Sequence, residues 1–218
     1  MPAYKKLASE AICDAASRKV LTRASALESE TDACHYGAMS GDILRLKIVL
    51  ADTEPAIWRR VEVPAETTLK QLHAVIQAAM GWDDAHLHEF HMGRERLPAG
   101  IALGELAAGR VKRLGYVYDM GDSWEHVIHI EKRLAADPAL RYPRFIEGAM
   151  RCPPEDVGGI PGFYEFLDAI ADPEHPDHED RLDWYGGPFD PAELDAKPIE
   201  KELARLAARH RRAAAKRA

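Results

Sequence analysis

The residue types best able to do chemistry sit around one short turn. Tyr116-Val117-Tyr118-Asp119 and Trp124-Glu125-His126 flank Met120-Gly121-Asp122-Ser123, and Gly121 stands where a two-residue type II′ hairpin turn requires glycine. With that turn, Asp119 opposes Trp124 and Val117 opposes His126, so all four share one face of the hairpin, while Tyr118 pairs with Glu125 on the other. Asp119 then lies diagonal to His126 at roughly 7–8 Å between backbones. A carboxylate that orients an imidazole is half of many acid–base sites, so the pair is the candidate for a hydrolase-like reaction. The plain alternative is an aspartate that caps the turn and a histidine on a half-exposed sheet.

Other groups invite metal or thiol chemistry. On a strand over 86–92, His86 and His88 point to one face and His91 to the other, so at most two imidazoles converge. Zinc takes three or four ligands; Asp83, Asp84 or His126 can supply more, but no spacing demands it. With no cysteine doublet either, the expectation is no cofactor and no tightly held zinc, with His86 and His88 as the first ligands if one is found. Cys152 precedes Pro153-Pro154, which hold the backbone extended, yet a reactive thiolate also needs a base or a helix N-terminus beside it. Glu155-Asp156 before Gly158-Gly159 reads either as a ligand-meeting loop or as the cap of the helix that follows. The expected ligand face therefore comprises Asp119, Trp124, His126, Cys152, Glu155 and Asp156, with Glu155 and Asp156 also candidates for catalysis.

The elements that must position these residues are legible in outline. Leu44, Leu46, Ile48 and Leu50 alternate with Arg45, Lys47 and Val49, the period of a half-buried strand, and Ile57–Val63 follows as a second, ended by Pro64. Thr68 with Gln71 three residues on makes a capping box, Leu69, Leu72, Ile76 and Ala79 share a helical face, and Gly81 closes the helix. Strands over 86–92, 114–119 and 124–130, helices near 163–171 and 179–184, and a basic alanine-rich helix over 191–215 complete the pattern. The class is α+β with a mainly antiparallel sheet, a β-grasp being one arrangement it allows. Three parts are expected: a helical N-terminal extension (1–41), a domain over 42–195, and a basic helical tail (196–218).

Charge and composition narrow the partners. The 218 residues carry a net charge of −7, and the eight basic and two acidic residues after 196 give the tail +6, leaving −13 for residues 1–196. An acidic body repels a polyanion, so nucleic acid is a partner only through the tail, where Lys201, Arg205 and Arg209 recur at intervals of four, as do Arg212 and Lys216. No apolar run is long enough to span a bilayer, and the first forty residues contain no apolar core of a signal peptide. Three cysteines at 13, 34 and 152 suit a reducing cytoplasm.

Five motifs in order, IWRRVEVP (57–64), LKQLHAVIQAAMGWDDAHLHEFHMG (69–93), YVYDMGDSWEH (116–126), CPPEDVGG (152–159) and DWYGGPFDPAELD (183–195), resemble the plasmid pRiA ORF-three-like family. Its members are often labelled TnpR-like or insertion-element passenger proteins. The resemblance spans about 42–195 and implies no established catalytic activity. Members often carry a second cysteine where this chain has Val157, which removes a thiolate pair here. Resolvase chemistry is rejected, because Ser9, Ser17 and Ser25 lie in a helical arm with no strand before them. The expected role is that of a cytoplasmic binding or accessory protein, its partner an unknown protein or small ligand. The alternatives are an enzyme using Asp119 and His126, or a nucleic-acid accessory factor acting through the tail.

Overall fold

A computed structural model describes residues 41–215. The expected N-terminal helices and Lys216 lie outside the described residues. The chain runs β1 (Asp42–Leu50), β2 (Trp58–Pro64), α1 (Leu69–Met80), β3 (His88–Met92), β4 (Glu95–Arg96), α2 (Leu103–Ala108), β5 (Arg113–Tyr118), β6 (Trp124–Ala135), β7 (Arg144–Ala149), α3 (Gly159–Ala171), α4 (His178–Tyr185) and α5 (Ala196–Ala215). The strands form a seven-stranded sheet in the order β4-β3-β5-β6-β1-β2-β7, with every pairing antiparallel. The class is α+β, as the pattern predicts. The parallel central pair of a β-grasp does not occur in it, since β1 and β6 run antiparallel at the centre.

Alternation on β1 works as expected. Leu44, Leu46, Ile48 and Leu50 are buried beneath α1, whose Leu69, Leu72, Ile76 and Ala79 are fully enclosed. Thr68 and Gln71 close the capping box, and Gly81 ends the helix in the left-handed conformation (φ 84°), which a residue with a Cβ rarely adopts. On the opposite face of the sheet, the Glu62 carboxylate takes hydrogen bonds from Arg45 and Arg144, and Arg60 pairs with Glu131. Strand β7 and helix α2 were not anticipated. Helix α5 packs against α1 and β7, burying Ile199, Leu203 and Ala207.

The β5–β6 hairpin forms one residue out of the expected register. Tyr118 pairs with Trp124, Val117 with Glu125 and Tyr116 with His126. Five residues, 119–123, connect the strands instead of two, because Asp119 and Ser123 both take left-handed backbone (φ 55° each) and Ser123 N–H donates to the Asp119 carbonyl at 2.6 Å. Side chains alternate along a strand, so this single-residue slip replaces Val117 and Asp119 with Tyr116 and Tyr118 as the companions of Trp124 and His126.

Candidate cation centre

The register decides the fate of the Asp119–His126 pair. Trp124 and His126 are buried in the core, against Trp82 and Tyr116, rather than on the surface. His126 Nδ1–H donates to the Trp124 carbonyl at 3.0 Å, and among the described residues no hydrogen bond or ion pair joins it to Asp119. Burial lowers its pKa from 6.5 to about 4, so it sits in the core as a neutral ring. Cys152 is equally enclosed, and burial pushes its thiol up to about 12, the opposite of an activated nucleophile.

Asp119, Glu155 and Asp156 nevertheless meet, and the residue they meet around is His86. Its Nε2 lies 3.0 Å from Asp156 Oδ1, 3.6 Å from Asp119 Oδ2 and 3.7 Å from Glu155 Oε2. That nitrogen is closed off from solvent, yet none of the three carboxylates is placed to hydrogen-bond it. The four side chains come from three connections: His86 between α1 and β3, Asp119 between β5 and β6, and Glu155 and Asp156 before α3.

Asp119 and Glu155 are each held chiefly through one oxygen and turn the other toward His86. Asp119 Oδ1 accepts from the Gly121 N–H at 2.8 Å, leaving Oδ2 toward His86. Glu155 Oε1 accepts from the Asp83 N–H at 2.8 Å and the Tyr118 hydroxyl at 3.0 Å, while Oε2, nearer His86, shares the same hydroxyl at 3.4 Å. Tyr118 in turn accepts from the Ala85 N–H, and burial together with its bond to Glu155 raises its pKa. The three connections are laced by Trp82 Nε1–H to the Pro153 carbonyl, Asp119 N–H to the Leu87 carbonyl and Gly158 N–H to Asp122 Oδ2. Gly159 is needed where it stands, because a Cβ there would lie 2.4 Å from the Asp122 carbonyl. Asp119 and Asp156 both hold positive φ (55° and 59°), a conformation aspartate tolerates at some cost. Asp156 is the most exposed of the four, so the centre opens to solvent on its side.

His88, paired with His86 in the sequence expectation, lies elsewhere. Its ring stacks on His73 with centroids 3.4 Å apart, and burial, then the neighbouring His73, lowers its pKa. His73 Nε2–H donates to Asp84 at 2.6 Å. That leaves Nδ1 to accept from the Tyr116 hydroxyl, whose oxygen takes a hydrogen bond from Gln77 Nε2. Ligand atoms of His73, Asp84 and His88 lie within 4.8 Å of one another, as do those of His86, Asp119 and Asp156. The two clusters differ in what is left over. The His73 ring spends both nitrogens on protein partners, whereas His86 Nε2 has no hydrogen bond and Asp119 Oδ2 and Asp156 Oδ1 face it unbonded. His73 was missed in the sequence because it sits on α1 four residues after Leu69, within the apolar face.

One imidazole nitrogen and several carboxylate oxygens, those of Asp119 and Glu155 oriented from behind by hydrogen bonds, are the donor set of a divalent cation such as Mn²⁺ or Zn²⁺. A single-sheet α+β protein with such a cluster where three connections meet is the class that fold and site define. The chain belongs to the family of plasmid pRiA4b ORF-3-like proteins, whose model matches residues 42–198. It is 39% identical to "Uncharacterized protein y4hQ" of Sinorhizobium fredii (strain NBRC 101917 / NGR234) over 195 residues, covering 81% of this chain and 98% of that one. Among solved structures it resembles a protein of unknown function, MM3350, from Methanosarcina mazei Go1, with a TM-score of 0.68 and 32% identity over 73% of this chain and 97% of that one. No described helix is long and apolar enough to cross a membrane.

Proposed function

We propose that the protein is a cytoplasmic accessory protein of a mobile element that binds its ligand through a divalent cation held by His86, Asp119, Glu155 and Asp156. The observation that carries this reading is His86 Nε2, enclosed and without a hydrogen bond, with three carboxylate oxygens 3.0–3.7 Å away. A cation between them gives every one of these atoms a partner. This departs from the expectation of no cofactor, which weighed mainly histidines and cysteines; here most donors are carboxylates from two other connections. The link to a mobile element is supported by the family's description as a plasmid reading frame. A hydrolytic role through Asp119 and His126 is disfavoured by the burial of His126.

Calorimetric titration of chelator-treated protein with Mn²⁺ and with Zn²⁺ tests the proposal. About one equivalent of either should bind and raise the melting temperature, because a ligand specific to the native state stabilises it. Asp119→Asn and Asp156→Asn should each weaken binding by about tenfold or more, since loss even of outer-sphere partners typically costs that much. Absence of binding by both metals, or equal binding by parent and variants, would refute it.

A further inference from the structure

Behind the cation centre, on the other side of Glu155, lies a cleft of about 360 Å³ between the end of α1, the segment 151–155 and the start of α5. Its size falls within the range of small-molecule sites, roughly 300–1,000 Å³. Trp82, Tyr185 and Phe189 contribute aromatic walls, and Arg59, Arg151 and Cys152 also line it.

Arg59 is the unusual member. Only 2% exposed, it reaches from β2 beneath α1. Nε donates to the Ala79 carbonyl at the end of α1, and Nη1 to the Trp58 and Ala149 carbonyls. Nη2 has no protein partner, and no carboxylate pairs with this guanidinium among the described residues. A buried charge without a counter-ion is costly, and backbone carbonyls offset only part of that cost. The acidic groups that line the cleft are engaged elsewhere. Glu155 bonds Tyr118 and the Asp83 N–H, Glu193 pairs with Arg151, and Asp195 accepts from the Lys197 N–H at the head of α5. The Cys152 thiol, neutral at ordinary pH, supplies no compensating charge.

We infer that this cleft binds a small organic anion, its carboxylate or phosphate received by the Arg59 guanidinium and its apolar body held among Trp82, Tyr185 and Phe189. The inference stands apart from the cation centre, although Glu155 borders both, because Arg59 needs no metal to bind an anion. A guanidinium meets carboxylate and phosphate alike through parallel N–H donors, so the head group is left for the experiment to assign.

The test is calorimetry in the presence of EDTA, with benzoate, phenyl phosphate and the neutral benzamide as probes. One or both anions should bind while benzamide does not, and the tighter anion identifies the head group. Arg59→Met keeps an unbranched apolar stem in the core and removes the charge, and it should weaken anion binding by about ten- to a hundredfold, the worth of one or two charge-assisted hydrogen bonds. Asp195→Asn, an exposed change that keeps a good helix cap, should instead tighten binding by removing a negative charge from the mouth. Because the two variants act in opposite directions, a fold defect in Arg59→Met cannot imitate the full result. Binding of neither anion, equal binding of benzamide, or unchanged affinity in Asp195→Asn would overturn the inference.

Discussion

His126 is enclosed by aromatic rings, with Trp82 edge-on at 5.4 Å and Tyr116 at 5.2 Å, and its Nε2 has no partner. The consequence is a pH-dependent stability with a definite sign. Its pKa falls from 6.5 to about 4 on folding, chiefly through burial, so between those values the unfolded chain binds more protons than the native one. Stability is therefore lost as pH drops from about 6.5 toward about 4 and levels off below, the whole contribution being about 3 kcal/mol. Replacing the ring by an apolar one removes the titration, so the stability difference between parent and His126→Phe, followed by urea unfolding at several pH values, should change across that window. A constant difference would show that His126 does not titrate there. This residue also marks where the sequence was misleading. Gly121-Asp122 has the composition of a two-residue turn, but the left-handed Asp119 lengthens the loop, and a shift of one residue sent His126 into the core and Asp119 beside His86. Asp119, Glu155, Asp156 and His86 were all legible as chemically capable residues. Their convergence was not, because it depends on three connections meeting in space.

At the scale of elements, legibility follows local determination. Helix α1 could be read to its caps because Thr68, Gln71 and Gly81 fix its ends by local hydrogen bonds and backbone geometry. Strand β7 (RFIEGA) could not, because it lacks clean alternation and is a strand only through pairing with β2. Helix α5 lies between these cases: its basic stripe was evident, and so was a second side with Leu203, Leu206 and His210 able to pack on the body, but the depth to which Ile199 is enclosed was not. Ile199 and Leu203 are nearly inaccessible on the side facing α1 and β7 and tie the helix to the body. Full burial of such side chains contributes roughly 1.5–3 kcal/mol each, so deleting everything after Asp195 should cost about 3–6 kcal/mol, a large share of an ordinary domain's stability. Chemical denaturation of the shortened chain should show a markedly lower midpoint or no cooperative transition. An unchanged midpoint would mean that α5 rests on the body without stabilising it.

Across the whole molecule, the charge is divided between an acidic body and a basic final segment, and α5 is where the two meet. Its inner side carries Ile199, Leu203 and Ala207 against the body, which leaves Lys201, Arg205, Arg209 and Arg212 exposed on the outside. One of these is partly neutralised within the helix, Arg205 donating to Glu202 at 2.8 Å. A polyanion approaching the stripe also meets the field of a body carrying −13 over residues 1–196, and exposed charges are screened beyond about 8 Å at physiological salt. The expected outcome is that the full chain does not retain random-sequence duplex DNA at about 0.15 M salt. Truncation at Asp195 is a poor control, because it removes core residues along with charge. The informative variant replaces Lys201, Arg205, Arg209 and Arg212 by glutamine, all on exposed positions that leave the buried side of α5 intact. If parent protein binds duplex with a log–log salt slope near about −3.6, the value for four phosphate contacts, and the quadruple variant does not, then α5 is a nucleic-acid surface and this prediction fails. If both bind alike, duplex is held elsewhere on the chain and the prediction fails as well; if neither binds, the stripe is a solvated face whose helix serves the core beneath it.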